Sequence, residues 1–419
     1  MTNSIRKGLL QFVFSGSYMK RWNDKLRPIE LIEIDKQAHK MIVAWMLCQI
    51  AGKDMTATDR LALEEEVVEG GIFDYLFRLI ITDIKPAILS RIKENHAHFQ
   101  ELADWAIKEI EPHLRPLNED LWNRFTRHVK QARPKGQAAD ILHAAHHYSS
   151  VWEFRLLSNM QNMFDDEITA IEERFAAQLD SYRHIQGIPE IIDGFTASQG
   201  GALARIANLC GQLRFQKRWS QTPRIPETSV MGHMFLVACY SFFLCVALGA
   251  CPARRVNSFF CGLFHDLPEL LTRDIISPVK KSVDELGRLI RAYEEQELED
   301  RVFAPLNADG YQCITARLGY YLGLETGSEF DETVVLDGKV IKVDFNDLQL
   351  TYNRDSFDPK DGRAVKTCDT LAAYIEAYTA MRNGITSDQI QQAFWRLRET
   401  NSKEVLGNIH IGALFTDFD

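Results

Sequence analysis

Apolar residues recur at three- and four-residue spacing through most of this chain. The stretches "DRLALEEEVVEGGIFDYLFRLI", "FQELADWAIKEIEPHL", "DEITAIEERFAAQLDSYRHI" and "KKSVDELGRLIRAYEEQELEDRVFAPL" each place their apolar positions on one face of a helix and their charges on the other. The pattern predicts an all-α fold. One segment breaks it: "ETVVLDGKVIKVDFNDLQLTY", residues 332–352, sets β-branched residues on both sides of Asp337-Gly338, a pair suited to a type I′ turn. A small β-hairpin is expected there.

Gly, Pro, Ser and Thr cluster in "GIPEIIDGFTASQGGAL", residues 187–203, between helical patterns. A chain of 419 residues exceeds the usual size of a single core, so the expected organisation is two helical domains, residues 1–190 and 196–419. The two sides share three blocks in the same order. "KRWNDKLRPIELIEIDKQAHKMIV" precedes the boundary and "KRWSQTPRIPETSVMGHMFLV" follows it. "GIFDYLFRLIITDIKP" is paired with "GLFHDLPELLTRDIISP", and "QAADILHAAHHY" with "KTCDTLAAYIEAY". Three ordered pairs point to a tandem duplication of one helical domain.

A net charge of −10 argues against a nucleic-acid scaffold. The eight cysteines are scattered among apolar neighbours without a C-x-x-C pair and read as reduced thiols of a cytoplasmic protein. The N-terminal stretch has no sustained apolar run followed by a cleavage site, so export is not expected. "MFLVACYSFFLCVALGAC", residues 234–251, carries no charge and reaches the lower limit for a membrane span, but it follows His233 directly and includes Ser, Tyr and three Cys. It is expected to be a buried central helix, with no membrane involved.

The chemistry concentrates at "GLFHDLPELLTRDIISPVK", where His265 and Asp266 end an apolar run. Neighbouring residues on a helix diverge by about 100° and share an ion only if other elements complete the shell. His233, heading the uncharged helix, and Asp369, in "KTCDTLAAYIEAY", are the candidates. A nitrogen and carboxylate set without thiolates suits one divalent ion such as Mn, Co, Mg, Fe or Zn. Glu269, three and four residues after the metal pair, is expected on the same helical face, where it serves as a general acid or base.

The ordered pattern His…His-Asp…Asp resembles the HD superfamily of metal-dependent phosphohydrolases. Over residues 200–385, "KRW…ETSVMGH…FHDLPELLTRDIISPVK…KTCDTLAAYIEAY" is similar to the bacterial 5′-deoxynucleotidases and their oxetanocin-related cousins. The resemblance implies that His233, His265, Asp266 and Asp369 hold the metal and that Glu269 and Asp274 assist hydrolysis. It further implies that Arg218 contacts phosphate and that Trp219 packs against a deoxyribose. The implied substrate is a (deoxy)nucleoside 5′-monophosphate or another phosphomonoester. A nucleoside triphosphate or cyclic-nucleotide hydrolase, or a non-catalytic nucleotide sensor, remains an alternative.

In the first half, Lys20-Arg21-Trp22, His39, Asp83 and Asp140 have apparent counterparts, but the His-Asp pair does not. Alignment on the shared Gly and Phe sets Asp74 opposite His265, Tyr75 opposite Asp266 and Arg78 opposite Glu269. This reading makes the first half a degenerate, metal-free copy that forms an internal pseudo-dimer with the second, with homo-oligomers also possible. His143, His146 and His147 look like a metal cluster, yet their partner helix carries no histidines.

Overall fold

The computed structural model describes residues 5–82, 84–158, 160, 166–196, 200–272 and 284–418. Asp83, Asp274 and Lys280 lie outside the described residues. The fold is all-α, with three two-stranded ladders as its β-structure among those residues. The expected hairpin forms between Thr333–Leu336 and Lys339–Lys342, with Asp337 and Gly338 both at positive φ, as a type I′ turn requires. It is shorter than the alternating pattern suggested. The Asp344 side chain accepts a hydrogen bond from Asp347 N and caps a helix, Phe345–Leu350, inside the stretch read as strand.

Helix Val230–Ala247 is long and apolar enough to cross a membrane, but 94% of it is buried inside the fold. Ser229 caps it by accepting from Gly232 N, which places His233 in its first turn. It packs most closely on helix Pro252–Phe264, and Gly262 makes that approach possible. A Cβ on Gly262 would meet the Ala238 backbone at 2.9 Å. Helix Gly362–Arg382 closes the group: a buried Arg254–Asp361 ion pair ties its start to helix Pro252–Phe264, and Asp361 also caps it by accepting from Ala364 N. Asp369 therefore sits within this helix, where its carboxylate is available to partners other than a helix end.

A first set of helices, Glu33–Ala51, Ala57–Ile81 and Gln137–Ser158, packs in the same way. Its central helix, Glu33–Ala51, lies against Val230–Ala247, and Trp45 packs against Phe264 at 4.6 Å between ring centres with the rings tilted by 59°. One continuous hydrophobic core runs through both sets. The leading helices cross over. Lys7–Phe14 packs on Val230–Ala247, where the Tyr240 hydroxyl donates to Leu10 O at 2.8 Å. Ala202–Gly211 packs on Glu33–Ala51, where His39 Nε2 donates to Ala207 O at 2.9 Å.

The entry into each central helix is the same. Lys20 pairs with Ile32 and Lys217 with Ser229, in antiparallel register. The same interval separates Lys20 from Lys217 and Ile32 from Ser229. Both ladders are followed by a tryptophan in the left-handed region, Trp22 at φ 55° and Trp219 at φ 57°. A non-glycine residue avoids that conformation unless its surroundings impose it. In each case a buried carboxylate does so: Trp22 Nε1 donates to Glu153 at 3.1 Å, and Trp219 Nε1 to Glu376 at 2.8 Å.

Candidate metal centre

Helix Pro252–Phe264 ends at His265, and the turn that follows carries Asp266 beneath helix Val230–Ala247. His265 Nδ1 donates to Gly262 O at 2.8 Å, which fixes the ring and turns Nε2 inward. That nitrogen is buried and makes no hydrogen bond. It faces Asp266 Oδ2 at 3.3 Å and Asp369 Oδ1 at 3.9 Å. His233 Nε2 approaches the same oxygens, at 3.1 Å from Asp369 Oδ1 and 3.9 Å from Asp266 Oδ2. Among the described residues, His233, His265 and Asp266 form the group whose donor atoms converge closely enough to hold an ion, and Asp369 completes its fourth side.

Two carboxylates are held ionised at this centre by the basic groups around them. Burial alone would lower the pKa of His265, but Asp266 and Asp369 beside it raise it to about 9. Burial opposes ionisation of Asp266 and Asp369 as well. His265, Arg218 and His233 nevertheless hold the first below the usual carboxylate range, and His233, Lys366 and His265 hold the second there. A divalent ion fits this donor set of two imidazole nitrogens and two carboxylates.

Behind the ligands stands Glu376, which the motif reading missed. Its carboxylate accepts from Trp219 Nε1 and from the Thr228 hydroxyl at 2.7 Å, and it lies 3.6 Å from His233 Nδ1. Burial works against its charge, but Arg224, Arg218 and His233 hold its pKa well below the usual range. A carboxylate behind a ligating histidine orients the ring and strengthens it as a donor. The signal was present in sequence: Glu376 follows Asp369 by two helical turns and so shares its face. Lys366 was also missed. Its Nζ reaches Asp369 Oδ2 at 2.9 Å and lies over the Phe330 ring.

Arg218 and Trp219 are brought to the centre as expected. Arg218 reaches Asp266 Oδ2 at 3.3 Å and Glu376 Oε2 at 3.5 Å. Glu269 is buried and starts a separate short helix, Glu269–Thr272, after a turn in which its N–H donates to Asp266 O. It does not continue the helix of the metal pair. It lines the same cavity as His265 and Asp266, from a turn that the helical spacing did not foresee.

In the first half, the ladder interval sets Lys36, not His39, opposite His233. His39 is used elsewhere, bonding Ala207 O and receiving Arg214 at 3.2 Å. The shared contact of Glu153 and Glu376 with their tryptophans sets His146, not Asp140, opposite Asp369. Lys36 Nζ and His146 Nδ1 stand 2.5 Å apart where the second half has His233 and Asp369. Residue-type matching had paired like with like and slipped by about one and two helical turns. Asp74, matched to His265, pairs with Lys40 at 2.7 Å and His128 at 2.9 Å. The histidine-rich stretch forms no metal-binding group among the described residues.

Residues 210–398 match the family model described as HD domain. Among curated proteins, a 4'-phosphooxetanocin A phosphatase from Priestia megaterium is 29% identical over 83 residues, covering 19% of this chain and 43% of that protein. The chain thus spans less than half the length of that relative. No solved structure matches. His233, His265, Asp266 and Asp369, with Arg218, Trp219 and Glu269, all fall within the matched span.

Proposed function

We propose that this protein is a metal-dependent phosphomonoesterase acting on (deoxy)nucleoside 5′-monophosphates through the centre in its second half. The observation that carries the reading is the convergence of donor atoms from His233, His265 and Asp266, with Asp369 3.1 Å from His233 Nε2 beside them. A bound divalent ion supplies Lewis acidity there, lowering the pKa of water and screening phosphoryl charge. The surrounding side chains do the rest. Arg218 presents a planar fork to phosphate oxygens, Lys366 adds a second positive charge, and Glu269 moves a proton to or from the reacting oxygen. The related phosphatase supports a phosphoryl substrate.

We further infer that the two halves are copies of one HD-type unit, the first without metal. The support is the common ladder interval, the matching left-handed tryptophans and the crossed leading helices. Replacing a His and Asp pair by Lys36 and His146 removes an anionic ligand, and Lys40 and Arg78 add positive charge nearby. The test is metal analysis of the full chain beside phosphate release from deoxynucleoside monophosphates with added Mn, Co or Mg. One metal per chain and metal-dependent release are expected; release that persists unchanged in a chelator rules the proposal out.

A further inference from the structure

Beside the centre lies a cavity of about 250 Å³ that shares His265, Asp266 and Glu269 with it and extends beyond them. His265 and Asp266 form its inner end, and helix Asp284–Leu298 and the stretch around Leu322–Glu329 form its walls. Its lining is of two kinds. Ile290, Leu298 and Leu322 give apolar walls, whereas Glu269, Glu294, Glu295 and Glu329 line it with carboxylates. Among the described residues, the cation in the lining is Arg291, and it is engaged, with Nε 3.2 Å from Glu295 and its terminal nitrogen donating to Gly327 O. Glu294 accepts from the Thr272 hydroxyl at 2.9 Å, which fixes one of its oxygens and leaves acceptor capacity on the carboxylate. The buried His265 Nε2, without a hydrogen bond, marks where the cavity meets the reacting end.

Arg218 and Lys366 reach the centre's own carboxylates, Asp266 and Asp369, and neither is among the residues that line this cavity. A second phosphate directed into the cavity would meet four acidic side chains, a repulsive arrangement in a partly dehydrated site. Flat apolar walls with carboxylate acceptors instead suit a planar group that carries N–H donors. We infer that this cavity receives the nucleobase of the substrate and selects amine-bearing bases, with Glu294 and Glu329 as the residues that read the amine. The orientation of substrate in this inference rests on the proposed phosphomonoesterase reading; the existence and chemistry of the cavity do not.

The experiment is calorimetric titration of the full chain with unphosphorylated deoxycytidine, deoxyadenosine and thymidine, which needs neither metal nor turnover. Deoxycytidine and deoxyadenosine are expected to bind at least about tenfold more tightly than thymidine, the worth of one well-placed hydrogen bond. In Glu294→Gln/Glu329→Gln, which is nearly isosteric, that ratio is expected to fall to within about threefold. A parallel assay compares phosphate release from dCMP, dTMP and dCTP. Equal binding of the three nucleosides, or a ratio unmoved in the double variant, overturns the inference even if monophosphates are hydrolysed. Selective nucleoside binding without any phosphate release upholds the cavity assignment and removes the phosphomonoesterase reading instead.

Discussion

The two halves of this chain hold an arginine and a tryptophan in the same backbone geometry and use them differently. Arg21 is clamped, donating to Glu153 at 2.7 Å and to Glu33 at 2.8 Å, both carboxylates being buried. Arg218 approaches Asp266 at 3.3 Å and Glu376 at 3.5 Å, longer than either contact of Arg21. The ladder interval sets Val230 opposite Glu33, so the second half lacks the carboxylate that immobilises Arg21. One guanidinium is clamped by two buried carboxylates at 2.7 and 2.8 Å, and the other meets its carboxylates at longer range, beside the candidate metal centre. A conserved-looking "KRW" is therefore no evidence of a working site; what surrounds the fork decides whether a phosphate can compete for it.

The largest expected difference between the halves is in metal and turnover. Asp266→Ala removes a ligand and leaves His265 and Arg218 without their nearest carboxylate, so metal content and phosphate release should both fall below detection. Asp74→Ala in the first half should lose the pairs with Lys40 and His128 and cost about 1–3 kcal/mol of stability, while metal content and kcat stay as in the wild type. Elemental analysis and steady-state kinetics on both variants check this. Metal lost from the Asp74 variant would mean that the first half holds an ion after all.

Much of this arrangement was legible in the chain. Helical periodicity gave the all-α class, Asp337-Gly338 gave the hairpin turn, and the His-Asp pair gave the centre. What failed was register. His39 and Asp140 were matched to ligands because their residue types agree, whereas Lys36 and His146 occupy the equivalent places. Periodicity alone cannot see this, since a slip of a full turn keeps every side chain on nearly the same face. Glu376 was overlooked for a related reason: a carboxylate in an apolar helix is silent until its Trp, Thr and His partners, far away in sequence, are brought to it.

A second contrast separates chemistry from metal binding. Glu269→Gln should retain the ion yet lose about 10²–10⁴-fold in single-turnover rate, the usual worth of a general acid or base. Its first-half counterpart by alignment, Arg78, should be replaceable by Met without any effect on rate. If the Glu269 variant also loses the ion, the residue is a ligand and the four-residue set is incomplete.

The arginines themselves give a smaller effect with opposite signs of readout. Arg218→Lys loses the planar fork and should raise KM about 10- to 100-fold with little change in unfolding. Arg21→Lys should leave KM alone and lower stability by about 1–3 kcal/mol, because Glu33 and Glu153 lose matched donors while buried. Equal KM changes in both variants would erase the distinction drawn between the two sites.

Acid should act on the first half through histidines kept neutral. Burial, together with nearby Arg214, lowers the pKa of His39 to about 3, and burial lowers that of His147 to about 4. Both folded values lie below the ordinary value of about 6.5. Their contribution is thus fully present above that pH and is lost as pH falls toward the folded values, at up to about 1.4 kcal/mol per pH unit for each histidine. Urea unfolding at pH 7.5 and pH 5 should show the loss, and His39→Gln should reduce it. A midpoint that is flat over this interval contradicts the assignment of neutral buried rings.

The smallest effect concerns the tryptophans. Trp219 is held at φ 57° with Nε1 on Glu376, the same carboxylate that lies against His233, so its ring position is tied to the metal centre. Under the proposed function, a ring held there would pack against the sugar and leave little room for a 2′-hydroxyl. Excluding one hydroxyl by shape alone is a modest discrimination, about 10- to 100-fold in kcat/KM. Trp219→Phe removes the Glu376 anchor and part of the ring, and should shrink the preference for dAMP over AMP to a few-fold while the metal stays bound. Trp22 has the same backbone geometry and its own anchor on Glu153, but it packs against Phe154 and Phe175 in the first half. Trp22→Phe should leave the sugar preference untouched. If the wild-type chain turns over AMP and dAMP equally, Trp219 has the structural role of Trp22, and the two halves differ in metal and arginine alone.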